Sequence, residues 1–363
     1  MSGLERAHLG ESPAWLGRDY LREVAGRRCF VSPHERDLVV QIMESRFASA
    51  MADRVAEGTG VVAGLRPAPR QGGRIPARGR RPTGRELLAL GEAFWYTEDP
   101  VFVRIFCDLL AAWSGQSSTE AAHRVSPWER TSAVIGWSMA AQCMLSSDFL
   151  LERDATRLIH GLEREGRILS GWLHHHARPL RDRAAALAGM AVLGMLYPEA
   201  FAQHDWFDEG LGELALSADD LLEPGPGALA PADALQVYLP LVALSMRNAL
   251  DVPGSVVAGI EAATRELGRT HRREDTAGPS LIPMIPDGER RVEALRAAAN
   301  MLLGRTEREP DLDDIGSGLL LLVGVDAFLR EEDYVEPALP AAFRVSPGDA
   351  ARRPFLDTPS TAA

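Results

Sequence analysis

GRELLALGEAFWYTEDPVFVRIFCDLLAAW, residues 84–113, decides the fold class. Its apolar residues recur at helical spacing on both sides of an Asp-Pro turn, so it reads as two helices, near 84–97 and 99–114. The pattern continues downstream. Further helices are expected near 127–146, 150–170, 180–196, 207–217, 231–249, 254–267, 288–304 and 313–330, each broken from the next by Pro, Gly or Asp turns. No stretch from Gly84 to Arg330 sustains the alternation of a strand. Helices of this length joined by short turns make an all-α domain, and their even pairing suggests antiparallel hairpins packed in layers or closed into a ring.

Upstream, Ser32-Pro33 reads as an N-cap followed by proline at the first helical position, after which Val39, Val40, Ile42, Met43, Phe47 and Met51 fall at helical spacing. Residues 61–85 hold seven arginines and no acid, with proline and glycine at a density that does not hold a helix. The expected organisation is a helical extension over 1–60, a linker over 61–83, the helical domain over 84–333 and a Pro/Ala/Ser-rich tail over 334–363.

All 39 basic residues are arginine, which removes Schiff-base chemistry, a lysine general base and the P-loop lysine. A net charge of −12 argues against generic nucleic-acid binding, although a local basic patch could still serve a polyanion. Cys29, Cys107 and Cys143 have no CxxC spacing and read as buried free thiols. No apolar run approaches the roughly 20 residues of a membrane span, and the first residues lack a signal-peptide core; a cytoplasmic chain with no membrane partner is expected.

Five phrases, in order, resemble the N-terminal α/α-toroid domain of the heparinase II/III-like polysaccharide lyases. They are residues 84–113, SPWERTSAVIGWSMAAQCML (126–145), RDRAAALAGMAVLGMLYPEAFAQHDWFDEGLGEL (181–214), PGPGALAPADALQVYLPLVALSMRNAL (224–250) and SLIPMIPDGE (280–289). The resemblance implies an incomplete (α/α) toroid, no cofactor, no metal, and β-elimination on a uronate-type substrate. That reaction needs a neutralised carboxylate, a base for the adjacent C–H proton and an acid for the leaving oxygen. Tyr238 stands where the resemblance places the proton-transfer tyrosine, followed by Leu239 where relatives have His. The place of the family's Asn-His pair falls on Arg181-Asp182, or in a looser register on Arg178-Pro179, and an arginine can hold a carboxylate bidentately. His176, last of the run His174-His175-His176, is the neighbouring proton-transfer candidate. The run also reads as a polar helix terminus or, because successive helical positions diverge, as a poor metal site. Trp128, Glu129, Arg130, Trp172 and Arg247 are candidates for lining a sugar cleft; the aromatic ones read equally as core.

Two functions follow from this reading. One is a carbon–oxygen lyase acting on an acidic polysaccharide or a small biosynthetic substrate. The other is a catalytically degenerate toroid, a pseudoenzyme that binds a polymer or a protein partner. The replaced Asn-His pair, the altered Tyr-His pair and a tail unlike the β-sandwich of such lyases favour the second. Tyr238, its polar candidates and the arginine-rich segment favour the first.

Overall fold

The computed structural model describes residues 17–30, 32–65, 82–114, 125–173, 179–217, 229–269, 279–288, 290–304 and 316–324. Among them are thirteen α-helices and no strand: α1 Arg18–Arg27, α2 Arg36–Arg46, α3 Ala48–Leu65, α4 Gly84–Thr97, α5 Pro100–Ser114, α6 Pro127–Met144, α7 Glu152–Leu173, α8 Leu180–Leu196, α9 Trp206–Leu216, α10 Pro231–Arg247, α11 Gly254–Arg269, α12 Arg290–Leu303 and α13 Gly316–Val323. Of these described helices, none is long and apolar enough to cross a membrane.

Local chemistry sets the helix starts. Thr83 and Glu86 form a reciprocal capping box at α4, and Ser126 and Glu129 form another at α6, each satisfying two backbone donors that the first turn leaves over. Proline sits at the start of α6 and α10, where its missing N–H costs nothing. α3 runs past the expected boundary at 60 to Leu65, since VVAGL contains no proline and the first breaker is Pro67. Residues 66–81 of the expected linker, the last residues 325–333 of the expected helical domain and the whole expected tail 334–363 lie outside the described residues.

Two kinds of helix alternate along the chain. In α6, α8 and α10 nearly every residue is buried; α8 and α10 are apolar on almost all sides, whereas α6 also buries polar side chains, among them Arg130, Thr131 and Gln142. α7 and α11 instead bury one stripe and expose the other. The even-numbered helices lie side by side in the order α4, α6, α8, α10. α3, α5 and α7 neighbour one another in turn, α9 neighbours α11, and each packs on an even-numbered helix.

α4, α6, α8 and α10 run parallel: short segments touch matching ends of this row, and Arg181 joins the start of α8 to that of α10. At the N-terminal ends, the Trp128 indole N–H donates to Pro279 O at 3.0 Å and Ser132 Oγ donates to Ser280 O at 3.0 Å. Gln236 Oε1 of α10 accepts Ser280 Oγ–H at 2.8 Å and Leu281 N–H at 2.9 Å. At the C-terminal ends, Arg36 donates twice to Trp95 O of α4, at 2.9 and 2.6 Å, and Arg22 donates to Leu145 O after α6 at 3.3 Å. Phe30 N–H donates to Gln142 Oε1 at 3.2 Å, and Arg247 of α10 donates to Phe30 O and to Glu35. The N-terminal segment expected as an extension is therefore packed across one end of the helical row. Close approach of α4 and α6 rests on glycine: a Cβ at Gly136 would lie 2.3 Å from Gly84 O.

Candidate functional site

The candidate residues divide among three places. Arg181, in the first turn of α8, donates from Nε to Asp233 Oδ2 of α10 at 2.8 Å, and its guanidinium lies 3.8 Å over the Trp128 ring. This cluster sits at the N-terminal ends of the row. Burial pushes the Asp233 carboxyl above its usual range against the pull of Arg181. Trp128 itself is 1 % exposed, so its face is used on Arg181 and its N–H on Pro279. Glu129 closes the Ser126 capping box.

Arg130 points inward. Its Nη1 donates to Glu165 Oε2 of α7 at 2.6 Å, with the side chains 1 % and 3 % exposed. The Trp113 indole N–H donates to Glu165 Oε1 at 3.3 Å, and Trp113 stacks on Trp137 at 4.8 Å. A charge pair so deeply enclosed joins α6 to α7; breaking it leaves a buried charge unmatched. Arg247 lies at the opposite, C-terminal end of the row, bound to Phe30 and Glu35. Trp172 is half-buried near the end of α7. His176 and Arg178 lie outside the described residues.

Tyr238 is wholly buried in α10, among neighbours that include Leu235, Val237, Leu239 and Leu241 in the same buried helix. It follows Asp233 by five positions, about 140° around the helix at 3.6 residues per turn, so Asp233 and its partner Arg181 lie toward another face. The geometry brings Arg181 and Trp128 together. It does not gather Tyr238, Arg181 and Arg247 at one floor.

Sequence reasoning missed Asp233, Gln236, Ser280 and Glu165, which organise these places. It also missed Glu92, 2 % exposed in α4, whose carboxyl burial pushes up although Arg54 stands 4.0 Å away. The Ser126-x-x-Glu129 spacing was a readable capping signal. The other partners are tens of positions apart and carry no local signature.

The thiols are unpaired in disulfides. Burial pushes Cys29 up to about 11 and Cys107 up to about 12, and it raises Cys143 well above the usual range, so all three stay protonated near neutrality. Among the described residues, no three of His, Cys, Asp and Glu converge to hold a metal. A shallow cleft of about 300 Å³ between α10 and α11 is lined by Leu229, Pro231, Ala263, Arg265 and Arg269 among others, and by none of the candidates above. Comparison with protein-family models, with curated proteins and with solved structures finds no match.

Proposed function

We propose that this chain is a non-catalytic helical interaction module: an incomplete α/α toroid whose interior serves packing and whose outer surface serves binding. The alternation of enclosed α6, α8 and α10 with half-exposed α7 and α11 supports the toroid reading. The observation that carries the functional reading is the complete burial of Tyr238. A proton-transfer tyrosine must reach substrate. Here the N-terminal ends of the row meet residues 279–281, and the C-terminal ends meet Arg22, Phe30 and Arg36. Arg181, the candidate for holding a uronate carboxylate, already holds Asp233.

An ultraviolet assay for unsaturated uronates tests the reading against elimination. Purified protein is incubated with heparan sulfate, hyaluronan, chondroitin and alginate beside a Tyr238→Phe variant. A flat trace on all four is expected. Absorbance that grows with the wild type and vanishes in the variant would overturn the module reading and restore the lyase.

A further inference from the structure

The turn into α10 and the last turns of α11 border a shallow cleft of about 300 Å³. Its floor is apolar: Leu229 and Ala263 are buried, and Pro231 and Ala262 are half-buried. Its rim is charged and belongs to α11, where Arg265, Glu266 and Arg269 line it. These three and Ala262 stand three or four positions apart, the spacing that keeps residues on one side of a helix.

The two arginines are placed differently. Arg269 turns back to Glu266, with Nη1 donating to Oε2 at 3.4 Å, so its charge is answered within the helix. Arg265 is exposed and makes no hydrogen bond, ion pair or ring contact among the described residues. The cleft therefore sets one unmatched guanidinium at the edge of an apolar floor. A guanidinium fork binds a carboxylate through two parallel hydrogen bonds, and burying an apolar group beside it adds the hydrophobic term.

We propose that this cleft docks the carboxy-terminal residue of a partner polypeptide, its apolar side chain on the floor and its carboxylate on Arg265. The inference rests on the interaction-module reading and supplies its site. Pockets for free small molecules run from about 300 to 1,000 Å³ and enclose most of the ligand. A shallow cleft at the bottom of that range holds one residue of a larger body. A chain end carries its side chain and its carboxylate on the same Cα, which matches a floor bordered by one free cation. An internal Asp or Glu brings charge without an apolar group, and lays flanking peptide groups over a floor of apolar side chains. A phosphate or polyanion brings more charge than one arginine answers, beside Glu266 and in the field of a chain that carries −12. The preceding peptide group of the partner meets the rim, where Arg269 has donors beyond the one given to Glu266.

The test uses the full chain and a short peptide, labelled at its amino terminus and ending in Leu with a free carboxylate. Two companions end in leucinamide and in Ser. Fluorescence anisotropy at low ionic strength is expected to show the Leu acid bound about tenfold more tightly than either companion. Arg265→Gln should bring the acid down to the level of the amide and leave the amide within about twofold of its own value. Ala262→Trp, which fills the floor, should weaken acid and amide alike; thermal melting checks its fold, and Ala262→Met replaces it if it does not fold. Arg183→Gln, on an exposed arginine of α8, should change neither by more than about twofold. Unlabelled N-acetyl-leucine should compete about threefold or more weakly than the unlabelled peptide, because it lacks the preceding peptide group. Equal binding of acid and amide, a preference that survives Arg265→Gln, or an equal loss in Arg183→Gln would overturn the proposal. Equal competition by N-acetyl-leucine would overturn it in favour of a free small carboxylate. An elimination trace in the polymer assay overturns the module reading whatever the peptides do, so the two failures stay distinct.

Discussion

The two ends of the buried helical row differ in the charged side chains that close them: carboxylate caps at one, guanidinium donors at the other. At the N-terminal ends the closing groups include side chains that accept backbone N–H groups: Ser126 and Glu129 at α6, Thr83 and Glu86 at α4, and Gln236 for the turn at Leu281. At the C-terminal ends the closing groups are mainly arginines that donate to carbonyls, with Gln142 accepting Phe30 N–H beside them: Arg22 to Leu145 O, Arg36 to Trp95 O, and Arg18 to Ser147 O at 2.6 Å. A helix leaves donors over at its start and acceptors at its finish, and its dipole favours anions at the first and cations at the second. In a chain without lysine, arginine supplies the cation, and its fork reaches two acceptors at once, as Arg247 does with Phe30 and Glu35. The comparison teaches that both ends are finished as structure.

The strongest way to break this arrangement acts where the start of α4 meets the middle of α6. Gly136→Val would drive a side chain into the Gly84 backbone, 2.3–2.8 Å from its Cβ position, and should cost about 3 kcal/mol in denaturant unfolding. The C-terminal end should respond less. Arg36→Ala removes two hydrogen bonds to Trp95 O and the partly exposed contact with Glu98, and a loss of about 2 kcal/mol is expected from urea titration. Ser126→Ala sharpens the comparison further by deleting one capping acceptor, with about 1 kcal/mol lost and a lower melting midpoint.

The smallest effect at neutral pH is expected from the interior between the ends. Burial raises the Glu92 carboxyl above its unfolded value, so the folded state holds that proton more tightly. Its contribution to stability is full below the ordinary carboxylate range and is lost as pH rises through the raised value. Glu92→Gln should therefore raise the melting midpoint at alkaline pH and lose that advantage in acid. A variant that instead loses stability at neutral and alkaline pH and recovers it in acid would show that the Arg54 contact, which pulls the carboxyl down, outweighs burial.

Much of the fold is legible in the sequence. The helices at 84–97 and 180–196 begin and end where the spacing predicts, because Pro, Gly and capping residues act locally. The burial of α8 on all sides is foreshadowed by the run AAALAGMAVLGML, whose apolar residues leave no polar face. The candidate site was far less legible. Glu129 was readable as a cap from Ser-x-x-Glu, yet the fate of Arg130 depends on Glu165, and that of Arg181 on Asp233, 52 positions away. Pairings of that range are set by which helices become neighbours, and helical periodicity does not encode them. The burial of Tyr238 has the same origin, since its surroundings come from the row and not from α10 alone.

Native-state hydrogen exchange at two amides tests the closure of both ends directly. Leu281 N–H is held by Gln236 at one end and Phe30 N–H by Gln142 at the other. Both are predicted to exchange nearly as slowly as the amides in the middle of α6 and α8, opening only when the domain unfolds. Exchange orders of magnitude faster at either amide, with the middle of α6 and α8 still protected, would mean that end opens as a gate to Tyr238, and would contradict the sealed interior on which the proposed function rests.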